Sequence, residues 1–178
     1  MKQFGHLPEN ILGIFAFSMS KGYTLYGQRT GAMIGVSASK EVIREFAEIN
    51  QYTSRATWSN INRGAMTMLA TIHKDQSLTR QFEAEREAYY QLIRDRGAIF
   101  MEEAKACGLK ALPYKAGFFL SVPARDSVAV CQKLHEELIF AVPLKRGVRI
   151  AACAVPAAKM KGIAAKTLKA LQFVDGVK

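Results

Sequence analysis

Apolar residues come in two short unbroken runs near the start of the chain. Residues 11–17, ILGIFAF, and residues 31–36, GAMIGV, are each bounded by polar positions, a texture that predicts two buried strands. The glycines of the second run allow close backbone packing. Further on, runs give way to helical stripes. Ser39 as an N-cap with Glu41 in the first turn predicts a helix to about residue 49. Residues 54–64, SRATWSNINRG, are polar and predict a loop or helix entry, and residues 65–73 predict a helix with an apolar face.

From residue 77 to 107 the sequence carries one long helical pattern, with Leu78, Phe82, Tyr89, Leu92, Ile93, Phe100 and Ala104 near one stripe and Gly108 as its stop. At 1.5 Å rise per residue, such a helix reaches roughly 45 Å, the length of an element that bridges two bodies. Gly97 is the expected site of a bend in it. Beyond Gly108 the pattern predicts a strand at 117–122, a helix opened by Asp126 and running to about residue 138, strands near 140–142 and 148–152, and a final helix with Pro156 at its start. This β-α-β-β-α order is that of a small α+β domain. The expected division is therefore residues 1–76 and residues 77–178.

Composition narrows the class. Hydrophobic residues at 49% and charged residues at 22% are ordinary globular values, and 178 residues suffice for a real core. No apolar run is long enough to predict a membrane span, and the N-terminus has no secretion-signal pattern. Three widely spaced cysteines, Cys107, Cys131 and Cys153, predict reduced and mostly buried thiols in a cytoplasmic protein, with no metal site. His6, His73 and His135 lack metal-ligand spacing. The net charge of +10 raises nucleic-acid binding, but the basic residues are scattered among acidic ones and no nucleic-acid-binding signature is present, so no nucleic-acid partner is expected. Acidic small molecules fit the charge equally well. Trp58 reads as packing, and Met33, Met66, Met68, Met101 and Met160 read as core fillers.

The candidate chemistry lies in residues 18–35, SMSKGYTLYGQRTGAMIG. Lys21 directly follows an apolar strand, and strand ends in α/β sheets are where ligands bind. Ser18, Ser20, Gly22 and Gly27 leave room for a flat ligand, and Arg29 offers a planar fork suited to phosphate. A lysine attacks carbonyls when desolvation or a nearby cation lowers its pKa, and the apolar strand and Arg29 could supply both. A solvated loop lysine with Arg29 in an ordinary ion pair is the alternative. Tyr26 lies inside the same stretch and could line the site.

This stretch resembles the pyridoxal-phosphate lysine motif of class I aminotransferases, the aspartate/tyrosine group, with its S-x-S-K pattern and an arginine eight residues after the lysine. Ser18, Ser20, Lys21, Arg29 and Gly31 are the matching residues. The resemblance implies that Lys21 is the Schiff-base lysine and that Ser18, Ser20 and Arg29 bind the cofactor, pyridoxal 5'-phosphate. RATWSN, residues 55–60, resembles the segment whose arginine crosses a dimer interface to the distal carboxylate of the substrate, which implies that role for Arg55 with Asn60 beside it. GVRIAACAVP, residues 147–156, resembles the segment whose arginine grips the substrate α-carboxylate, here Arg149, and GFF, residues 117–119, resembles the strand that puts a phenylalanine, here Phe119, at the site wall.

By this resemblance the fold is α/β: the tail of the large parallel-sheet domain of a pyridoxal-phosphate-dependent transferase, a long connecting helix and a small α+β C-terminal domain. The implied reaction moves an amino group between an amino acid, dicarboxylic or aromatic, and a 2-oxo acid, in a homodimer. The resemblance covers only the C-terminal portion of the family's chain, so its upstream cofactor contacts have no counterpart here, and the isolated chain is expected to be inactive. Two other readings are a non-catalytic, dimerising fragment and another enzyme of the same fold, a lyase or decarboxylase.

Overall fold

The computed structural model describes residues 4–176. The chain divides into two compact units, residues 1–86 and residues 87–178. The first comprises strand β1 (Gly13–Ser18), the four-residue helix α1 (Met19–Gly22), a 3-10 turn (Tyr26–Gln28), strand β2 (Gly31–Val36) and helices α2 (Lys40–Thr57) and α3 (Arg63–Lys74). Helix α4 (Gln76–Cys107) follows, and the division falls within it. The second unit continues with β3 (Phe119–Pro123), α5 (Ser127–His135), β4 (Val142–Leu144), β5 (Gly147–Ala151), a 3-10 turn (Ala152–Ala154), α6 (Ala157–Met160) and α7 (Ile163–Asp175).

In the first unit β1 and β2 pair antiparallel, from Gly13 opposite Val36 to Ser18 opposite Gly31. Antiparallel pairing follows from the connection between them, a short helix and a turn, whereas parallel neighbours need a full crossover. The strands are not buried. Ile14, Phe17, Met33 and Ile34 are all exposed, because among the described residues the sheet has only two strands and little packs on its faces. A Cβ on Gly31 would lie 2.6 Å from the carbonyl oxygen of Phe17, so glycine is what permits this end of the hairpin to close.

Helix α2 begins as expected, with Ser39 Oγ accepting from Val42 N, but it runs eight residues past the predicted end and takes Arg55 into its last turn. Its residues remain exposed or half-buried, and Trp58 just beyond it is 61% exposed, which removes the expected packing role. Met33, Met66 and Met68 are likewise exposed, while Met160 is fully buried. Of the cysteines, only Cys131 is buried, where loss of solvation raises its thiol pKa; Cys107 is half-buried and Cys153 exposed.

The second unit owns a continuous core. Phe100 and Ala104 of α4 join Leu120 and Val122 of β3, Val130, Cys131 and Leu134 of α5, Val148 and Ile150 of β5, and Ala164, Ala170 and Leu171 of α7. The sheet has the order β3-β5-β4, all antiparallel, with β5 central and its residues mostly buried. Helix α4 runs unbroken through Gly97, which is buried. The glycine makes room for Tyr114, whose ring carbon Cε1 would lie 2.2 Å from a Cβ at that position. The Glu103 carboxylate accepts from Gly162 N (2.7 Å) and Ala165 N (3.0 Å), capping α7 where Gly162 has no side chain to do so. The final helix therefore begins seven residues after Pro156, behind the separate short helix α6.

Candidate active site

The hairpin that carries Lys21 is anchored from below. Leu25 is buried against Ala65 and Leu69 of α3, with Met19 and Tyr23 packed beside them. Tyr23 fixes the loop further: its hydroxyl shares a 3.0 Å hydrogen bond with His73 Nε2 and its ring stacks on Phe82 at 5.2 Å. Asn62 caps α3 through Ala65 N and also donates to the Gln28 side chain, joining the loop after α2 to the 3-10 turn.

On this base Ser18 ends β1 and caps α1, accepting from Ser20 N at 3.2 Å and donating to Ser20 Oγ at 2.9 Å. Arg29, held in the left-handed region at φ 53°, reaches back with Nη1 to the Tyr26 carbonyl (2.8 Å) and to Ser20 Oγ (3.5 Å). A non-glycine residue in that conformation is costly unless its surroundings fix it, and the two contacts do so. Both cations then share one ring: Lys21 Nζ lies 4.5 Å and Arg29 Cζ 5.3 Å from the centroid of Tyr26. Two hydroxyls, a guanidinium and an amine thus lie along one stretch of chain, with Ser18, Lys21 and Arg29 exposed and Ser20 buried behind them. Hydroxyl and guanidinium donors suit a phosphate, and the amine beside them can reach a carbonyl carbon.

Arg55 and Asn60 lie outside this hydrogen-bonded cluster. Arg55 Nη1 donates to Ser59 Oγ at 2.6 Å, and the following turn places Ser59 at φ 67° with Asn60 N bonded to the Trp58 carbonyl. Arg55 is exposed at the end of α2. In the second unit, Arg149 sits mid-strand in β5 opposite Ser121, and its Cζ lies 4.4 Å over the Phe119 ring. Its Nε is buried with no hydrogen-bond partner among the described residues. A buried donor without a partner is costly, and an anionic ligand on the guanidinium would remove that cost. The two candidate groups therefore sit on different units, each internally organised.

The sequence offers His73 as a structural or solvated residue, and it is structural here; Tyr23 and Asn62 as supports were not visible in it. The Tyr23–His73 and Asn62–Gln28 contacts join positions far apart in the chain, so no local pattern marks them. Tyr26 was visible inside the motif, but nothing in the string showed that its ring receives both cations. Among the described residues no group of His, Cys, Asp and Glu is placed to hold a metal ion, and no helix is long and apolar enough to cross a membrane.

The sequence matches the model of aminotransferase class I and II over residues 8–166. The chain belongs to this aminotransferase family. A crystal structure of an aminotransferase from Anaerococcus prevotii is similar at 32% identity with a TM-score of 0.90, over 94% of this chain and 41% of that one. The aromatic-amino-acid aminotransferase of Burkholderia pseudomallei, covalently bound to pyridoxal phosphate, superposes with a TM-score of 0.72 at 23% identity over 91% of this chain and 41% of its own. A Thermus thermophilus aspartate aminotransferase variant complexed with tryptophan gives 0.65 at 24% identity, over 92% and 42%. The last two likenesses speak to fold alone. No curated protein matches the sequence. The chain thus spans about two fifths of the length of the solved aminotransferases it resembles, and its fold is of their α/β class.

Proposed function

We propose that this chain carries the cofactor lysine, the phosphate clamp and the carboxylate clamps of an aminotransferase that moves an amino group between an amino acid and a 2-oxo acid. The observation that carries this reading is the convergence of Ser18, Ser20, Lys21 and Arg29 around Tyr26, in a chain of the aminotransferase family. The donor set fits pyridoxal 5'-phosphate: Ser18, Ser20 and Arg29 offer hydroxyl and guanidinium hydrogen bonds to its phosphate, and Lys21 offers the amine for its aldehyde. When bound, that cofactor supplies an electron sink for the substrate α-carbon.

The protein's own residues do the rest. Lys21 Nζ would hold the cofactor through its amine, and the same amine would move a proton at the substrate α-carbon. Arg149, with its buried Nε and its guanidinium over Phe119, binds the α-carboxylate and so orients the α-carbon. Arg55, with Asn60 near it, takes a side-chain carboxylate in the neighbouring subunit of a homodimer, which fits dicarboxylic substrates. Aromatic amino acids are the other substrate class for the same site. A cytoplasmic setting accords with the free cysteines.

Titrating the chain with pyridoxal phosphate and following visible absorbance tests the reading. Wild type is expected to develop a saturable band of an amine–aldehyde adduct, and Lys21→Arg, which keeps the charge, to lose affinity at least tenfold. An identical band in Lys21→Arg would overturn it.

A further inference from the structure

The second unit contains a basic hollow that the aminotransferase reading does not use. It has a volume of about 600 Å³ and lies between the end of α4, the end of β3, the β4–β5 turn and the last turns of α7. Lys110, Arg125, Lys145 and Arg146 line it, against one carboxylate, Asp175; four cations less one anion leave a net +3. None of the four cations forms an ion pair among the described residues. The floor is apolar, formed by Leu109, Leu168 and Leu171.

Two features hold the cations in place. The Asp175 carboxylate accepts from the backbone of Arg125 (2.7 Å) and Asp126 (3.2 Å), which fixes the rim after β3. Lys145 and Arg146 are the two central residues of the tight turn from Leu144 to Gly147, which sets their side chains next to each other. That turn is drawn against β3: Ala124 N donates to the Arg146 carbonyl at 3.4 Å, and a Cβ on Gly147 would lie 2.5 Å from the Val122 carbonyl oxygen. Backbone geometry thus brings Arg125 and Arg146 to one rim, with Lys145 beside them. Like charges held together repel, and a bound anion relieves that repulsion.

We propose that this hollow binds a small organic phosphate carrying at least two negative charges, its phosphates on the Arg125, Lys145, Arg146 and Lys110 side chains and its apolar portion on the leucine floor. Two arginine forks favour phosphate over a lone carboxylate, and the volume is that of a small-molecule site. The site is separate from the Ser18–Arg29 cluster and stands or falls independently of it.

Calorimetric titration of the 178-residue chain with adenosine diphosphate, and in parallel with inorganic pyrophosphate, tests this. Saturable one-to-one binding of the nucleotide is expected, tighter than pyrophosphate. Affinity should fall at least tenfold in Arg125→Gln/Arg146→Gln and in Lys110→Gln/Lys145→Gln, all exposed positions whose replacement spares the core. Arg94→Gln/Lys105→Gln, which removes the same charge from the exposed side of α4, and Arg29→Gln should each stay within twofold of wild type. No saturable binding, pyrophosphate as tight as the nucleotide, equal losses in the α4 pair, retained affinity in the hollow variants, or a loss confined to Arg29→Gln would each overturn the proposal.

Discussion

The two units solve the same folding problem to different degrees. Residues 87–178 enclose a core in which Phe100, Leu120, Val122, Val130, Leu134, Val148 and Met160 are fully buried. Among the described residues of the first unit, the buried apolar cluster is Leu25, Ala65 and Leu69, while both strands of the hairpin keep large apolar side chains exposed. Burial is the main driving force of folding, so stability is concentrated in the second unit. The lysine cluster, by contrast, is held by local capping, a loop anchored on α3 and two ring contacts. The Lys21 cluster thus sits on the less enclosed unit, and the better enclosed unit carries Arg149, the residue proposed to bind the substrate carboxylate.

Substitutions that probe the two cores should differ accordingly. Phe100→Ala is expected to cost about 3–5 kcal/mol, the usual range for deleting a buried aromatic ring, read by hydrogen exchange of the second unit's amides. Leu69→Ala in the small cluster should cost about 2 kcal/mol, at the low end for a leucine because the surrounding chain can collapse into the gap, and its effect should be confined to the first unit. Equal costs would break the comparison. Next in size is Gly97→Ala. Its methyl group would overlap the Tyr114 ring, and overpacking of this kind costs about 1–3 kcal/mol. The hydroxyl bond from Tyr114 to the Gly117 carbonyl, 2.7 Å, should be disturbed with it, visible as changed tyrosine fluorescence. An unchanged ring environment would show that the helix shifts instead.

The smallest effect belongs to the surface of the second unit. The Lys166 ammonium, 2.9 Å from Glu137, holds that carboxyl below the ordinary glutamate range, chiefly through their hydrogen bond and then through charge attraction. A depressed folded-state pKa contributes stability that is whole above the unfolded value and is lost as pH falls through the folded one. Lys166→Gln should move the Glu137 titration, followed by carboxyl NMR, up toward its ordinary value and leave neutral-pH stability almost unchanged, since exposed pairs contribute little. A large loss at neutral pH would mean that this pair helps hold α7.

Much of this was legible in the string because it is local. The Ser39 cap, the long helix stopped at Gly108, the Asp126 cap and the spacing of Ser18, Ser20, Lys21 and Arg29 all depend on neighbours within a few residues. What escaped depends on distant ones. The run of residues 11–17 looks like a buried strand because apolar runs usually find a cover, and a run cannot report what lies on it. Gly97 reads as a helix weakness until Tyr114 is seen filling the space. Glu103 accepts from Gly162 N and Ala165 N, about sixty positions away, which no local pattern marks. At the site the motif gave the residue types, whereas the shared Tyr26 ring and the buried Arg149 Nε required three dimensions.

If Ser18, Ser20 and Arg29 hold a phosphate beside Lys21, as proposed, Lys21 differs from the other lysines in its reach to the attached aldehyde. Borohydride reduction of the chain mixed with pyridoxal phosphate, followed by peptide mapping, measures this directly. The pyridoxyl label is expected to concentrate on Lys21 in wild type and to spread over many lysines in Arg29→Gln. A label spread evenly in wild type, or concentrated on a lysine of the second unit, would contradict it.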